Sequence, residues 1–169
     1  AHVEAKIIDA FGIAAELPTK ITLFQGLPKS DKMEWIIQKA VELGVYEVVP
    51  VATKRAVVKL DTKKAKKKVE RWNAIALSAA KQAKRGIIPE VKPVMTLKEA
   101  FGYASSFDSS ILPYEDAKGM EHSRQVLASL KGKKRIGIFI GPEGGFEESE
   151  VAEAMGQGIM PVTLGRRIL

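Results

Sequence analysis

Short apolar runs alternate with segments of helical period along the chain, beginning with Ile21-Thr22-Leu23-Phe24 and continuing into Asp31 to Leu43. That is the strand-and-helix rhythm of an α/β sheet. In the first helix Met33, Ile36, Ile37, Ala40 and Val41 fall on one face, with Asp31 placed to cap the start and Glu34 three residues later. Gly44 is predicted to end it in a left-handed conformation. Tyr46 to Val51 reads as the next strand, and Ala65, Val69, Trp72, Ala76, Ala79 and Ala83 form the stripe of a long helix closed by Gly86 and Pro89. Thr96 to Glu99 is a capping box, followed by a strand near Ser109 to Tyr114 and a helix around His122 to Leu130. Arg135 to Ile140 is almost continuously apolar, as a central parallel strand covered on both faces requires. A glycine-rich loop, a helix through Val151, Ala152 and Met155, and a short strand at Met160 to Leu164 complete the pattern. Val3 to Ile8 reads as a separate strand and Asp9 to Pro18 as a connection. Residues 1–18 are therefore expected to be the remnant of another small β domain, and residues 19–169 one sheet domain.

Composition narrows this picture. With 169 residues, 46% of them hydrophobic and 28% charged, the chain can bury one substantial core, which excludes disordered and membrane-embedded classes. There is no cysteine, and His2 and His122 lack ligand spacing, so no metal site is expected and a reducing, cytoplasmic setting fits. No apolar run reaches the roughly 18 residues of a membrane span, and the amino end lacks a signal-peptide profile. The sequence opens without an initiator Met and stops at Ile168-Leu169, so it is expected to be a fragment.

Charge is distributed as two opposed blocks. From Lys54 to Arg71 there are nine Lys and Arg against Asp61 and Glu70, a balance of +7 that equals the net charge of the whole chain. A solvated helix face explains such a run, but Lys54 and Arg55 begin it in a loop, and Lys81, Lys84 and Arg85 extend it, which favours a track for the phosphates of a polyanion. From Ile136 to Gly165 there is no Lys or Arg, only Glu143, Glu147, Glu148, Glu150 and Glu153. Gly141-Pro142-Glu143-Gly144-Gly145-Phe146 sits at its centre, directly after the buried strand, at the sheet end where open α/β folds bind ligands. The loop matches neither glycine-rich phosphate motif, and glutamates already occupy the first turn of the next helix. It suits a neutral or cationic ligand, unless it is simply a tight turn before an acid-started helix.

The GPEGGF loop, followed by Leu164-Gly165-Arg166-Arg167-Ile168-Leu169, resembles the RsmE family of SPOUT-class methyltransferases. Gln25 to Glu34 (with Gly26-Leu27-Pro28-Lys29), Gln38 to Gly44, Arg71-Trp72 and Pro89-Glu90 agree, and the similarity runs from about Glu16 to Leu169. The resemblance implies methyl transfer from S-adenosylmethionine to N3 of a uridine in small-subunit (16S) ribosomal RNA. A knotted methyltransferase acting at another RNA site and a non-catalytic rRNA-binding assembly protein remain alternatives. It further implies a SPOUT-type parallel sheet flanked by helices with a C-terminal trefoil knot, a homodimer, and a PUA-like β-barrel of which residues 1–18 are the remnant.

Carried over by position, the cofactor loops are Leu112 to Tyr114, Ile140 to Gly145 (with Gly141, Glu143 and Gly144) and Leu164 to Leu169 (with Gly165 and Ile168). The family continues beyond this chain's end with a helix that completes the knot. N3 lies on the pairing edge of uracil, so the target must be unpaired when it reacts. Candidate catalytic groups are Glu143, which could instead fix backbone N–H groups, and Arg167, which could instead make a packing or dimer contact. No general base is assigned. RNA contacts are expected from Lys29, Lys32, Arg55, Lys59, Gln82 and Arg85. Trp35, Trp72 and Phe146 are candidates for stacking on a base, with Trp72 expected in the core.

Overall fold

The structure is a computed structural model that describes residues 3–6, 8, 16–57, 61–115 and 119–165. Strands β1 (Lys20–Gly26), β2 (Glu47–Ala52), β3 (Glu90–Val91), β4 (Met95–Thr96), β5 (Ser109–Pro113), β6 (Arg135–Ile140) and β7 (Met160–Val162) form one sheet. Its order is β3-β2-β1-β6-β5-β7, with β4 also on β2, and every pairing is parallel. Parallel neighbours need crossovers, supplied here by α1 (Lys32–Glu42), α2 (Thr62–Gln82), α3 (Leu97–Ala104), α4 (Met120–Ser129) and α5 (Glu148–Gly156). Among the described residues no helix is long and apolar enough to cross a membrane.

The sheet separates two main clusters of apolar side chains. Leu27, Met33, Ile37, Val41, Val48, Trp72 and Ala76 join α1 and α2 to one part. Phe24, Val51, Phe101, Leu112, Phe139, Phe146 and Val151 join α3 and α5 to another. Phe24 and Phe139, on the adjacent central strands β1 and β6, stack with ring centroids 4.2 Å apart. The expected central strand is β6, residue for residue.

Local signals account for most boundaries. Thr96 and Glu99 make the reciprocal bonds of a capping box at the start of α3. Gly44, at φ +100°, ends α1 while the N–H of Val45 reaches back to Ala40 O. Three expectations are corrected. Asp31 stands at the start of α1 but its side chain makes no cap bond, being 3.6 Å from Lys68 instead. α2 ends at Gln82, ahead of the expected Gly86 and Pro89: Lys84 takes the left-handed conformation at φ +52° and the N–H of Arg85 closes the turn onto Ala80 O. Residues 3–6 and 8 form no strand, and Val3 and Ile8 are exposed, because no described strand offers them a ladder.

One polar cluster lies at the amino edge of the sheet. The Glu47 carboxylate, almost wholly buried, accepts from Thr22 Oγ1 at 2.7 Å, Tyr103 Oη at 3.1 Å and Arg135 Nη2 at 2.9 Å. The Arg135 guanidinium also lies 3.9 Å from the Phe107 ring centroid.

Candidate functional site

The opposite, carboxyl edge carries the ligand-binding geometry. The chain leaving β1 turns through α1 toward β2, whereas the chain leaving β6 turns through α5 toward β7, beyond β5. The strand order therefore reverses at β1 and β6, where α/β sheets leave a crevice. A cleft of about 440 Å³ opens there, lined by Pro113 to Glu115, Ile140 to Phe146, Glu148 and Arg55.

Glycines shape its wall by letting backbone meet backbone. The N–H of Gly145, itself at φ +65°, donates to Pro142 O at 2.8 Å, so the loop folds back on itself. Beneath it, a Cβ on Gly26 would lie 2.7 Å from Pro142 N and 3.0 Å from Gly141 C. Buried Gln25 fastens the same junction, its Nε2 donating to Gly26 O and Gly141 O at 3.0 and 3.3 Å.

Two further loops are tied to this wall. Glu143 turns toward the loop after β1, accepting from the Lys29 N–H at 3.2 Å and lying 3.0 Å from Lys32 Nζ. The Lys32 ammonium, helped by the Lys29 N–H, holds its carboxyl at a pKa of about 2. A carboxylate that acidic is a feeble proton acceptor near neutrality, so Glu143 fixes the loop and supplies permanent negative charge. On the other side the loop after β2 is stapled on: Arg55 Nη1 donates to Gly144 O at 2.9 Å and Lys54 Nζ to Ser149 Oγ at 2.9 Å. Buried Glu150 accepts from the N–H groups of Lys54 and Glu147, both at 2.9 Å.

The pairing of Glu143 makes a pH prediction with a definite sign. Its folded pKa lies below the ordinary 4.5, so the stabilisation it contributes is complete above that value and is lost as pH falls toward 2. Carboxyl-carbon NMR should place the Glu143 midpoint near 2 in the native chain and distinctly higher in Lys32→Ala. An ordinary midpoint in the native chain would refute the assignment.

Of the residues assigned from sequence to the cofactor, Tyr114, Ile140, Gly141, Glu143, Gly144 and Gly145 line the cleft. Leu112 does not, because it is buried in the core. Leu164 is exposed and Gly165 takes φ +119°, and neither is among the lining residues. Arg167, Ile168 and Leu169, with the knot that depends on them, lie outside the described residues, as does Lys59.

Lys29, Lys32 and Arg55 gather around the glycine loop. Arg85 must be reassigned. Its side chain is 3% exposed, makes a two-pronged pair with Glu16 at 2.9 and 2.7 Å, and donates to Val41 O and Val45 O, so every face of the guanidinium is committed to the fold. Gln82 is exposed, but at the far end of α2, a helix of 21 residues or about 30 Å at 1.5 Å per residue. Trp35 is exposed, whereas Trp72 and Phe146 are buried.

Sequence reasoning missed Gln25, Gly26 and Glu150, and placed Arg55 with RNA alone although it also lines the cleft. Glu150 carried a local signal only for its capping bond to the Glu147 N–H; its bond to Lys54, 96 residues away, left none.

A helix-flanked parallel sheet with a glycine-walled, acid-rimmed cleft where its strand order reverses defines an α/β domain of the ligand-binding class. Residues 15–169 match the model of the RNA methyltransferase domain family. Ribosomal RNA small subunit methyltransferase E of Bacillus subtilis is 43% identical over 157 residues, covering 91% of this chain and 61% of that protein. The protein of the same name from Mesomycoplasma hyopneumoniae is 34% identical, covering 98% and 70%. A crystal structure of the Neisseria gonorrhoeae protein of that name, bound to S-adenosyl methionine, superposes with a TM-score of 0.81 at 35% identity, covering 92% of this chain and 62% of that one. The chain belongs to the RNA methyltransferase domain family, among the ribosomal RNA small subunit methyltransferase E proteins. It spans about three fifths of the length of the Bacillus relative.

Proposed function

We propose that this chain is the methyl-transferring domain of an enzyme that moves a methyl group from S-adenosylmethionine to N3 of a uridine in small-subunit ribosomal RNA. The observation that carries the reading is the cleft itself, glycine-walled and, among the described residues, lined by Glu115, Glu143 and Glu148 with Arg55 as the one base. A polyphosphate would be repelled there, whereas a cofactor with positive sulfur, an ammonium and one carboxylate matches both signs. A Cβ at Gly141 would lie 3.0 Å from the backbone of Gly145, so the residues present fit a ligand that approaches main chain closely.

When bound, S-adenosylmethionine supplies a methyl group activated by its positively charged sulfur. The chain's own work is positioning and electrostatics. Ile140 to Gly145 and Tyr114 would hold the cofactor, and residues 164–169 with Arg167 would complete its enclosure in a knot. Lys29, Lys32 and Arg55 would receive RNA phosphates, bringing an unpaired uridine to the cleft mouth, and the N3 proton would leave to a base or to water. A second copy of the chain, a PUA-like barrel and a cytoplasmic setting belong to the same proposal.

The test is methylation of small ribosomal subunits taken from cells that lack the modification, with nucleoside mass spectrometry. N3-methyluridine is expected, and Arg55→Ala should reduce the slope of log affinity for RNA against log salt by about 1. Methylation at another atom would assign a different RNA site. RNA binding without any cofactor heat would identify a non-catalytic assembly protein.

A further inference from the structure

Glu150 is not among the residues that line the cleft, yet its carboxylate joins two of the loops that shape it. We propose that Glu150 is a positioning residue for RNA: through the main chain of Lys54 it sets Arg55 where that side chain receives a phosphate. The inference rests on the reading of the chain as an enzyme acting on RNA.

Helix capping accounts for only half of this carboxylate. Glu150 is the third residue of α5, and its Oε2 accepts from the Glu147 N–H as the third residue of a capping box does. Glu99 serves α3 in the same way, but from an exposed position where water solvates its charge. Glu150 is 3% exposed. Burying a carboxylate is unfavourable unless its oxygens are bonded, so capping alone does not explain why this one is inside. The other oxygen, Oε1, accepts the Lys54 N–H at 2.9 Å, across 96 residues of sequence.

That N–H has to find its acceptor outside its own loop. After β2 the chain reverses in a turn from Thr53 to Ala56, closed by the Ala56 N–H on Thr53 O at 3.2 Å. A turn of this kind pairs its first and last residues and gives the N–H groups of the two between them, Lys54 and Arg55, no partner inside it. Ala56 is held in the apolar cluster of α1 and α2, and Glu150 fixes the corner ahead of it. Arg55 stands at that corner. Its stem passes over the glycine loop, where a Cβ on Gly144 would lie 3.5 Å from Arg55 Cβ, and its Nη1 donates to Gly144 O at 2.9 Å. This bond uses one N–H of the guanidinium and leaves its remaining donors for phosphate oxygens. Lys54 Nζ also reaches α5, at Ser149 Oγ and 3.3 Å from Glu147, but those contacts are exposed and screened by salt, whereas the bond to Glu150 is not.

The test is the affinity of the whole chain and its variants for small ribosomal subunits taken from cells that lack the modification, measured against salt. Charge alone predicts that removing an acid tightens binding to a polyanion. Positioning predicts the reverse: Glu150→Ala should bind about tenfold more weakly, with the slope of log affinity against log salt reduced by about 1, as in Arg55→Ala. The two substitutions together should bind no more weakly than either alone, because the second removes a contact already lost. Glu153→Ala, which takes the same charge from an exposed place on α5, should bind as the native chain does or slightly more tightly. Exchange of the Lys54 amide proton, followed by NMR, gives a second reading that involves no RNA. In Glu150→Gln, which keeps the volume but offers one acceptor oxygen, affinity for subunits should follow Lys54: lost where its amide exchanges freely, kept where it stays protected. Native or tighter binding in Glu150→Ala, additive losses in the double variant, or an affinity in Glu150→Gln that does not follow the Lys54 amide would overturn the proposal. Native binding by Arg55→Ala would overturn it together with the assignment of Arg55 to RNA, and the expected binding losses without any methylation would sink only the enzymatic reading.

Discussion

Glu47→Ala is expected to destabilise the fold by about 3–5 kcal/mol, the range for breaking a buried ion pair from one side. The carboxylate is the common acceptor for Thr22, Tyr103 and Arg135, with Lys92 Nζ a further 3.8 Å away. Its removal takes the acceptor from two hydroxyls and the anion from a partly buried guanidinium. That guanidinium keeps only the Tyr103 hydroxyl, 2.8 Å from Nη2, and its Nε has no partner among the described residues. Urea denaturation should show a midpoint lowered by about 2 M, taking a slope of about 2 kcal/mol/M. Glu47→Gln keeps an acceptor for the hydroxyls and should lose distinctly less. A loss below about 1 kcal/mol in the alanine variant would show the cluster to be dispensable. Glu47 begins β2, at the edge away from the cleft, so the folded fraction should bind cofactor as before.

Gly26→Ala should have the largest effect on the site itself. The added carbon would fall 2.7 Å from Pro142 Cδ and N and 3.0 Å from Gly141 C, so the ends of β1 and β6 must part. Flexible side chains can swing aside, but these neighbours are main chain and a proline ring. Displacing a binding wall by about 1 Å costs on the order of 10²-fold in rate, and cofactor affinity should fall by at least tenfold. Gly102→Ala is the control, because its Cβ would meet nothing within 4 Å on an exposed turn of α3, and helix propensity favours alanine by about 1 kcal/mol. Calorimetry with S-adenosylmethionine and a melting curve on both variants decide the matter. Native affinity in Gly26→Ala would mean the wall tolerates movement.

The outline of the fold was legible because its determinants are local. The apolar run Arg135 to Ile140 named a central strand, the Thr96 capping box started α3, and Gly44 ended α1, each through the chemistry of a few adjacent residues. The two-residue strands β3 and β4 were missed, being too short to show any period. Residues whose role depends on a distant partner were misread or unseen. Arg85 looked like the end of a basic track until Glu16, 69 residues earlier, was found opposite it. Asp31 looked like a cap, but Lys68 is its neighbour.

The two charge blocks were real in sequence, yet the fold does not keep them apart. Lys54 and Arg55, from the basic block, lie directly on Glu147 and Gly144, and Lys32 on Glu143, so the acidic loop is partly neutralised.

The stapling of Lys54 and Arg55 onto Gly144, Ser149 and Glu150 also has an entropic side. Two loops joined by three hydrogen bonds do not lose their freedom separately. The conformational entropy of the two loops is therefore lost once, as that of a single unit, over the sheet beneath them.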